Sequence, residues 1–459
     1  MLNCISGFLR AYLLYPLAAR AQKRTILSKA RQLRRESRAP FPERQTRAQQ
    51  RLVHILAYAK ANVPYYRDLF ASLRFDPEKV SRDVRALEQL PYLTKDIVRE
   101  QGKRLLAEQL ADRPLHQRKT GSSTGPSTLF YYDADGLDWT AAENILVLEW
   151  AGKKRFHREA HLSTPFLDGL PPADARREAR KCFVLNRTNV YTRDYGDAGL
   201  ASVWEALRRA RPRLVQGHPS TLFALAGYVA RSGLPGAGVF RTFESTGEML
   251  TQKQRERIEG TFRCRVINRY GAAEFGVMAH ELASGPQGRL RVVDSLVYPE
   301  VLPMSEADPP FPDGEPRSGE RIIGSGELIF TSLRNLAMPL IRYRMGDMGT
   351  LTEEPTGWWL SHLVGRVHDV VTVGGVTYPT HFLQDVIDRY GYVENMQIAM
   401  RNGQVVEVRL VLSTPSQGEY VLHEFARHFP GTPCRLIEAK DLVFSGWRKK
   451  YRYVVEMES

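Results

Sequence analysis

Cysteine is scarce in this chain: Cys4, Cys182, Cys264 and Cys434 are the four in 459 residues, far apart and never in a C-x-x-C pair. Such spacing argues against a zinc site or a disulfide framework and fits a reducing, cytoplasmic setting. No run of roughly 18 or more uncharged apolar residues occurs, so no transmembrane helix is expected. Helix-turn-helix, zinc-finger and RNP-like patterns are missing, and nucleic acid is therefore not expected as a partner. Internal repeats and low-complexity tracts are lacking too. Acidic residues are outnumbered, 51 against 65 Lys and Arg, for a net charge of +14. That excess suits anionic partners, whether a polyphosphate ligand or an anionic membrane surface.

What is present is the make-up of a folded globular protein, 43% hydrophobic and 25% charged. Single cores stop growing at roughly 250–300 residues, so two unequal domains are expected. Much of the positive charge collects early, at Lys23, Arg24, Lys29, Arg31, Arg34, Arg35 and Arg38. Residues 1–22, MLNCISGFLRAYLLYPLAARAQ, read as an amphipathic helix too interrupted by Arg10 to be a signal peptide. Two readings stay open: a helix lying peripherally on the inner membrane face, or a helix docked on the protein's own body, the commoner fate of such a stripe.

Residues 45–63 carry Leu52, Val53, Ile55, Leu56 and Ala59 at helical spacing, with Pro64 as the stop. From about 115 to 345, strand-like runs (Cys182–Leu185, Arg213–Gln216, Cys264–Asn268, Glu327–Leu333) alternate with helical ones (Gly199–Arg208, Ser220–Ser232, Lys253–Phe262), which predicts an α/β architecture. Pro, Gly and acids between 299 and 320 predict a surface loop. After Gly365, strands at Val370–Val373, Val405–Leu412, Cys434–Leu436 and Tyr451–Val455 and helices at His381–Arg389 and Tyr420–His428 predict a small α+β domain. The expected organisation is a basic helical extension over 1–44, a large domain over 45–365 and a small C-terminal domain over 366–459.

The segment Thr120–Ser127, TGSSTGPS, follows Arg118 and Lys119 and precedes the strand-like Leu129–Tyr132, so it can close a hairpin. Gly121 and Gly125 let backbone approach a ligand closely, while Thr120, Ser122, Ser123 and Thr124 add hydroxyl donors to exposed N–H groups. Such a loop can cradle a triphosphate. Alone it is equally at home as a plain turn, and it lacks the Gly-Lys-Ser/Thr ending of a P-loop.

Four further segments follow in order: STGEML (Ser245–Leu250), RYGAAEFG (Arg269–Gly276), PLIRYRMGDMG (Pro339–Gly349) and GRVHDVVTVGG (Gly365–Gly375). Together with the loop they resemble the adenylate-forming superfamily of acyl- and aryl-CoA ligases. NVPYYRDLF, VQGHPSTLFALAGYV and STGEML resemble its phenylacetate-CoA ligase branch and relatives from capsular polysaccharide biosynthesis. The resemblance covers residues 45–459 and implies a large α/β AMP-binding domain with a small mobile lid.

It also implies roles. Tyr270 and Gly271 would meet the purine, Glu274 would bind Mg²⁺ as a hard oxygen ligand, and Asp347 would accept both ribose hydroxyls in its carboxylate fork. Gly247 and Glu248 would run along the adenine edge, and Arg366 would reach the ribose or phosphates. Taken singly, each fits a blander role: a core tyrosine, a solvated acid, a turn aspartate, a surface arginine. The family's invading lysine aligns with Lys450 in SGWRKKYRYVV, with Lys449 as a rival because it stands where glycine is usual. His368 replaces the family's hinge aspartate.

The implied chemistry is ATP-dependent activation of a small carboxylic acid to acyl-AMP, then transfer to a thiol, coenzyme A being the expected acceptor. Its acyl pocket is expected near Pro165–Leu167, Gly217–Ser220, Phe243–Thr246 and Gly271–Ala273. One alternative passes the acyl group to an amine, a hydroxyl or a carrier protein in envelope or secondary-metabolite assembly. Another is a non-catalytic nucleotide-binding scaffold at the membrane.

Overall fold

The computed structural model describes residues 2–110, 113–119, 128–162, 172–191, 196–303 and 320–364, then the shorter segments 370–373, 376–379, 393–401, 404–412, 418–419, 422–423, 426, 431–445, 450–451 and 454–457. These residues gather into two units: Met1–Gly7 with Phe156–Val266 and Val364–Ser459, and Phe8–Arg155 with Ile267–Leu363.

In the first unit four parallel strands lie in the order Arg187–Val190, Glu159–Leu162, Leu214–Gly217, Thr242–Ser245. Parallel neighbours need long crossovers, and the helices Pro172–Leu185, Asp197–Ala210 and Pro219–Arg231 supply them. Ala160, Leu162, Val190, Val215 and Phe243 form a dry core with Trp204, Leu222, Phe223, Ile258 and Phe262. The same unit holds a sheet ordered Cys434–Leu436, Gln404–Leu412, Val393–Arg401, Val454–Glu456. Val411 and Leu442 join the dry core of the parallel sheet.

Antiparallel pairing dominates the second unit, whose sheet runs in the order Val297–Pro303, Arg321–Ser332, Tyr343–Glu354, Gly357–Val364, Leu290–Val292, Gly276–Glu281 and then Ile267 to Ala272. The helix Phe41–Asn62 buries Leu52, Ile55, Leu56 and Ala59 against this sheet's core. Ahead of it, Ile26–Ser37 packs Ile26, Ala30 and Leu33 on Trp139, Ala142 and Leu146 of Ala134–Trp150. Three of the early basic residues are committed there, Arg24 to Asp138, Lys29 to Asp135 and Arg34 to Glu149. Arg31, Arg35 and Arg38 make no ion pair among the described residues and stay exposed. No helix of the described residues is long and apolar enough to cross a membrane.

Several sequence expectations are corrected. Cys182–Leu185, read as a strand, is the last turn of the helix Pro172–Leu185, and the strand follows at Arg187–Val190. Propagation from the strong helix former upstream costs less than ending the helix early. Residues 299–303 belong to an edge strand, Val297–Pro303, rather than a loop; Pro299 and Pro303 are tolerated because an edge strand need not donate on both sides. Pro64 does end the first long helix, which closes at Asn62, but also opens the next, Pro64–Ser72, as its first residue. Tyr451–Val455 divides between Lys450–Tyr451, paired with Phe444–Ser445, and Val454–Glu456, paired with Val393–Arg401. The helix His381–Arg389 lies outside the described residues, as does most of Tyr420–His428.

Candidate active site

Tyr270, Gly271, Glu274 and Asp347 all fall in the second unit. Tyr270 and Gly271 close the strand Arg265–Ala272, whose hairpin with Gly276–Glu281 carries a register shift between those two residues. Gly276 has φ +89°, and a Cβ there would lie 2.7 Å from Glu143 Oε2, so the turn demands glycine for both backbone and space. Glu143 itself is fully buried behind the turn, and burial raises its carboxyl well above the usual range against the opposing charge of Arg269.

Glu274 sits in this turn at 4% exposure. The Tyr343 hydroxyl donates to its Oε1 at 3.2 Å, and its Oε2 makes no hydrogen bond among the described residues. With Oε1 held by Tyr343, Oε2 keeps carboxylate lone pairs of the kind a hard cation takes. The turn is held from below: Tyr132 donates its hydroxyl to the carbonyls of Ala273 and Glu274, and burial keeps that phenol protonated by pushing its pKa up. Arg118 covers the Tyr132 ring at 4.4 Å and donates to Thr140 Oγ1 at 3.2 Å. Arg118 and Tyr132 come from the paired strands His116–Lys119 and Leu129–Tyr132, in register from His116↔Tyr132 to Lys119↔Leu129. In the sequence those strands flank Thr120–Ser127. Thr120, Gly121, Ser122, Ser123, Thr124 and Gly125 lie outside the described residues.

Asp347 is placed by a bulge. Register shifts between Glu327 and Ile329 against Tyr343–Glu354, and the Glu327 carboxylate fills the gap by accepting from Arg344 Nε at 2.9 Å and from the Gly346 amide at 3.1 Å. Bulges commonly re-aim a side chain beside a site. Here the result is a 2.9 Å hydrogen bond from the Tyr270 hydroxyl to Asp347 Oδ2, joining two motifs 77 residues apart. Phe330 and Phe275 support the two tyrosines, with ring centroids 6.2 Å from Tyr270 and 5.8 Å from Tyr343. Tyr270→Phe is expected to raise the KM for ATP about 2–10-fold with little change in kcat, because one neutral-to-charged hydrogen bond that orients Asp347 is lost. Initial rates of pyrophosphate release against ATP concentration read the effect.

In the first unit, Gly247 has φ +83° and Glu248 turns its carboxylate away to the start of the helix Pro219–Arg231. The Ser220 amide donates to Glu248 Oε2 at 3.3 Å, and His218 Nδ1 lies 3.5 Å from Oε1. A carboxylate at a helix N-terminus is favoured by the dipole and by the unmet N–H groups. The Glu248 side chain therefore holds the start of that helix.

Of a row of polar side chains the sequence pointed only to Glu244, inside the expected pocket segment Phe243–Thr246. Asn189, His161, Gln216 and Glu244 are neighbours across the four parallel strands, each one residue before its strand's end. Gln216 donates to the fully buried Glu244, and Asn189 donates to Glu178 at 3.0 Å. Glu159, two residues before His161, accepts from Arg187 at 2.7 Å. Burial and then the charge of Arg187 depress the His161 pKa, so its ring is neutral at pH 7. The triplets A-H-L, V-Q-G and F-E-S were the available signal: polar residues inside buried strands ask for partners or a ligand.

Arg366, His368 and Lys449 lie outside the described residues, as does Pro165–Leu167. Lys450 is described through its backbone, paired in register with Ser445. No group of three His, Cys, Asp or Glu side chains that could hold a metal occurs among the described residues. A Mg²⁺ held by one carboxylate and by substrate phosphates needs none.

No protein-family profile matches the chain. It is 26% identical to a phenylacetate-coenzyme A ligase of Pseudomonas putida over 387 residues, 80% of this chain and 82% of that one. To the protein CapK of Staphylococcus aureus it is 22% identical, covering 75% of each chain. The solved structure of a 2-hydroxyisobutyryl-CoA ligase, in the postadenylation state with an acyl-AMP, superposes with a TM-score of 0.68 at 18% identity, over 92% of this chain and 91% of that one. The chain thus has the fold of the adenylate-forming ligases.

Proposed function

We infer from the adenylate-forming fold of this chain, and from its similarity along four-fifths of its length to a phenylacetate-coenzyme A ligase, that it is an ATP-dependent acid–thiol ligase. The observation that carries the reading is the Tyr270–Asp347–Glu274–Tyr343 constellation: an aromatic face, a carboxylate fork and a half-open carboxylate, each fixed by a partner. Residues 45–365 serve as the AMP-binding body and 366–459 as the lid, with 1–44 an extension.

In this reading a substrate carboxylate oxygen attacks the α-phosphorus of ATP, the bond to pyrophosphate breaks, and acyl-AMP forms. No base is required, since the carboxylate is already ionised. A thiolate, that of coenzyme A, then attacks the acyl carbon and AMP leaves. Asp347 orients the ribose, Tyr270 and Gly271 meet the purine, and the backbone at Gly247 and Glu248 reads its edge. Thr120–Gly125 and Arg366 hold phosphates, and Lys450 offsets charge developing at the carboxylate and α-phosphate. Mg²⁺ on Glu274 would neutralise the phosphate oxygens. A reducing cytoplasm supplies ATP and free thiol.

The row Asn189, His161, Gln216 and Glu244 extends the reading to the acid. Open parallel sheets take ligands beyond the carboxyl ends of their strands, and here those ends are polar. They favour an acid carrying hydroxyl or amino groups over an unsubstituted aryl acid. The test is pyrophosphate release across paired acids, phenylacetate against hydroxy- and amino-substituted acids, followed by mass spectrometry of the product. Exchange with a substituted acid and a coenzyme A thioester as product are expected. Transfer instead to an amine, hydroxyl or carrier-protein thiol would redirect the second step, and no exchange with any acid would sink the reading.

A further inference from the structure

The helices at the start of the chain take no part in the site above. Residues Leu2–Leu9, Arg10–Leu14 and Tyr15–Ala21 run as one helical stretch with a π-helical turn in the middle. Its side chains sort by exposure. Ala11 and Ala19 are buried; Arg155 donates to the Ala11 carbonyl and lies 5.2 and 5.6 Å from the rings of Tyr12 and Tyr15. Outward stand Phe8, Leu9, Tyr12, Leu13 and Leu17, between 47% and 55% exposed. Their spacing of one, three, one and four residues is that of a single helical stripe. Five large apolar side chains, each about half exposed in one stripe, exceed the scattered exposure normal for a surface.

Charge names what covers it. No Asp or Glu occurs before Glu36. Arg20 and Lys23, directly after the stripe, are exposed and make no ion pair among the described residues, and the same holds for Arg31, Arg35 and Arg38 on the next helix. A self-docking helix would bury its large apolar stripe; here Ala11 and Ala19 are buried while Phe8, Leu9, Tyr12, Leu13 and Leu17 are exposed. A second copy of the chain would bring the same positive charge against itself and be repelled. An apolar stripe with an aromatic residue at its rim, followed by unpaired cations and no acid, matches an anionic bilayer surface, where chains take the leucines and headgroups take the lysine and arginines.

We propose that Phe8, Leu9, Tyr12, Leu13 and Leu17, with Arg20 and Lys23, form a docking surface for an anionic lipid bilayer, holding the enzyme peripherally at a membrane. The proposal is independent of the assigned chemistry, since none of these residues belongs to the candidate site.

Co-sedimentation of the full chain with phosphatidylcholine vesicles, with and without about one-third phosphatidylglycerol, tests it. At least about ten-fold stronger partitioning to the anionic vesicles is expected, falling in high salt. Leu9→Ser with Leu13→Ser should weaken it by at least about ten-fold, and Arg20→Gln with Lys23→Gln by roughly ten-fold or more. Unchanged circular dichroism and unchanged pyrophosphate release in solution keep these variants interpretable. Equal binding to neutral vesicles, no binding to either, or a dimer that Leu13→Ser dissolves would overturn the proposal. Failure of the acid panel would leave it standing.

Discussion

Replacing Glu274 with glutamine is expected to lower acid-dependent pyrophosphate release by about 100–1,000-fold while leaving the thermal midpoint within a few degrees of the parent. The side chain is buried, and Tyr343 donates to Oε1. Glutamine keeps the length and can still accept from Tyr343, so packing is preserved. What disappears is the negative charge on the open oxygen, the feature a Mg²⁺ ion needs. Half-maximal activity should therefore require more Mg²⁺, a shift that a merely structural role for Glu274 would not produce. A rate within about three-fold of the parent at low Mg²⁺ would remove Glu274 from the site.

Lys450→Ala is expected to slow adenylation by about 100–1,000-fold while changing thioester formation from preformed acyl-adenylate less than ten-fold. The reason lies in timing: charge builds on the carboxylate and α-phosphate only as the acyl–phosphate bond forms, and a mobile cation is needed then. Lys449→Ala is expected to behave like the parent. The reverse pattern, with Lys449→Ala the slower variant, would transfer the role.

The two experiments bear on residues of unequal legibility. Glu274 was visible in RYGAAEFG because its neighbours Tyr270, Gly271 and Gly276 are chemically unusual together. Lys450 was ambiguous, since its motif carries lysine where glycine is usual. The strands were only partly legible: Arg213–Gln216 and Cys264–Asn268 fall largely on the strands Leu214–Gly217 and Arg265–Ala272, but Cys182–Leu185 has the same apolar run and ends a helix. Four apolar residues cannot distinguish strand from helix end without their surroundings. Asn189, His161 and Gln216 were equally hidden, and Glu244 was legible only as part of an expected pocket segment, because the four come from separate strands and become a row only through register.

By itself the sequence determined the chemistry on offer: a glycine- and hydroxyl-rich segment, an aromatic-glycine-glutamate turn, an aspartate after glycine, and a basic end to the chain. These follow from short stretches whose residue types have few substitutes. Tertiary structure alone decided which of them meet. Tyr270 reaches Asp347 because a bulge pinned by Glu327 aims one strand at another. Glu248 caps a helix because two loops converge. Whether Leu9, Leu13 and Leu17 face core or solvent was likewise undecidable from their spacing, since an amphipathic stripe has one pattern and two possible partners. Packing put Ala11 and Ala19 inside, with Arg155 donating to the Ala11 carbonyl, and left Leu9, Leu13 and Leu17 exposed.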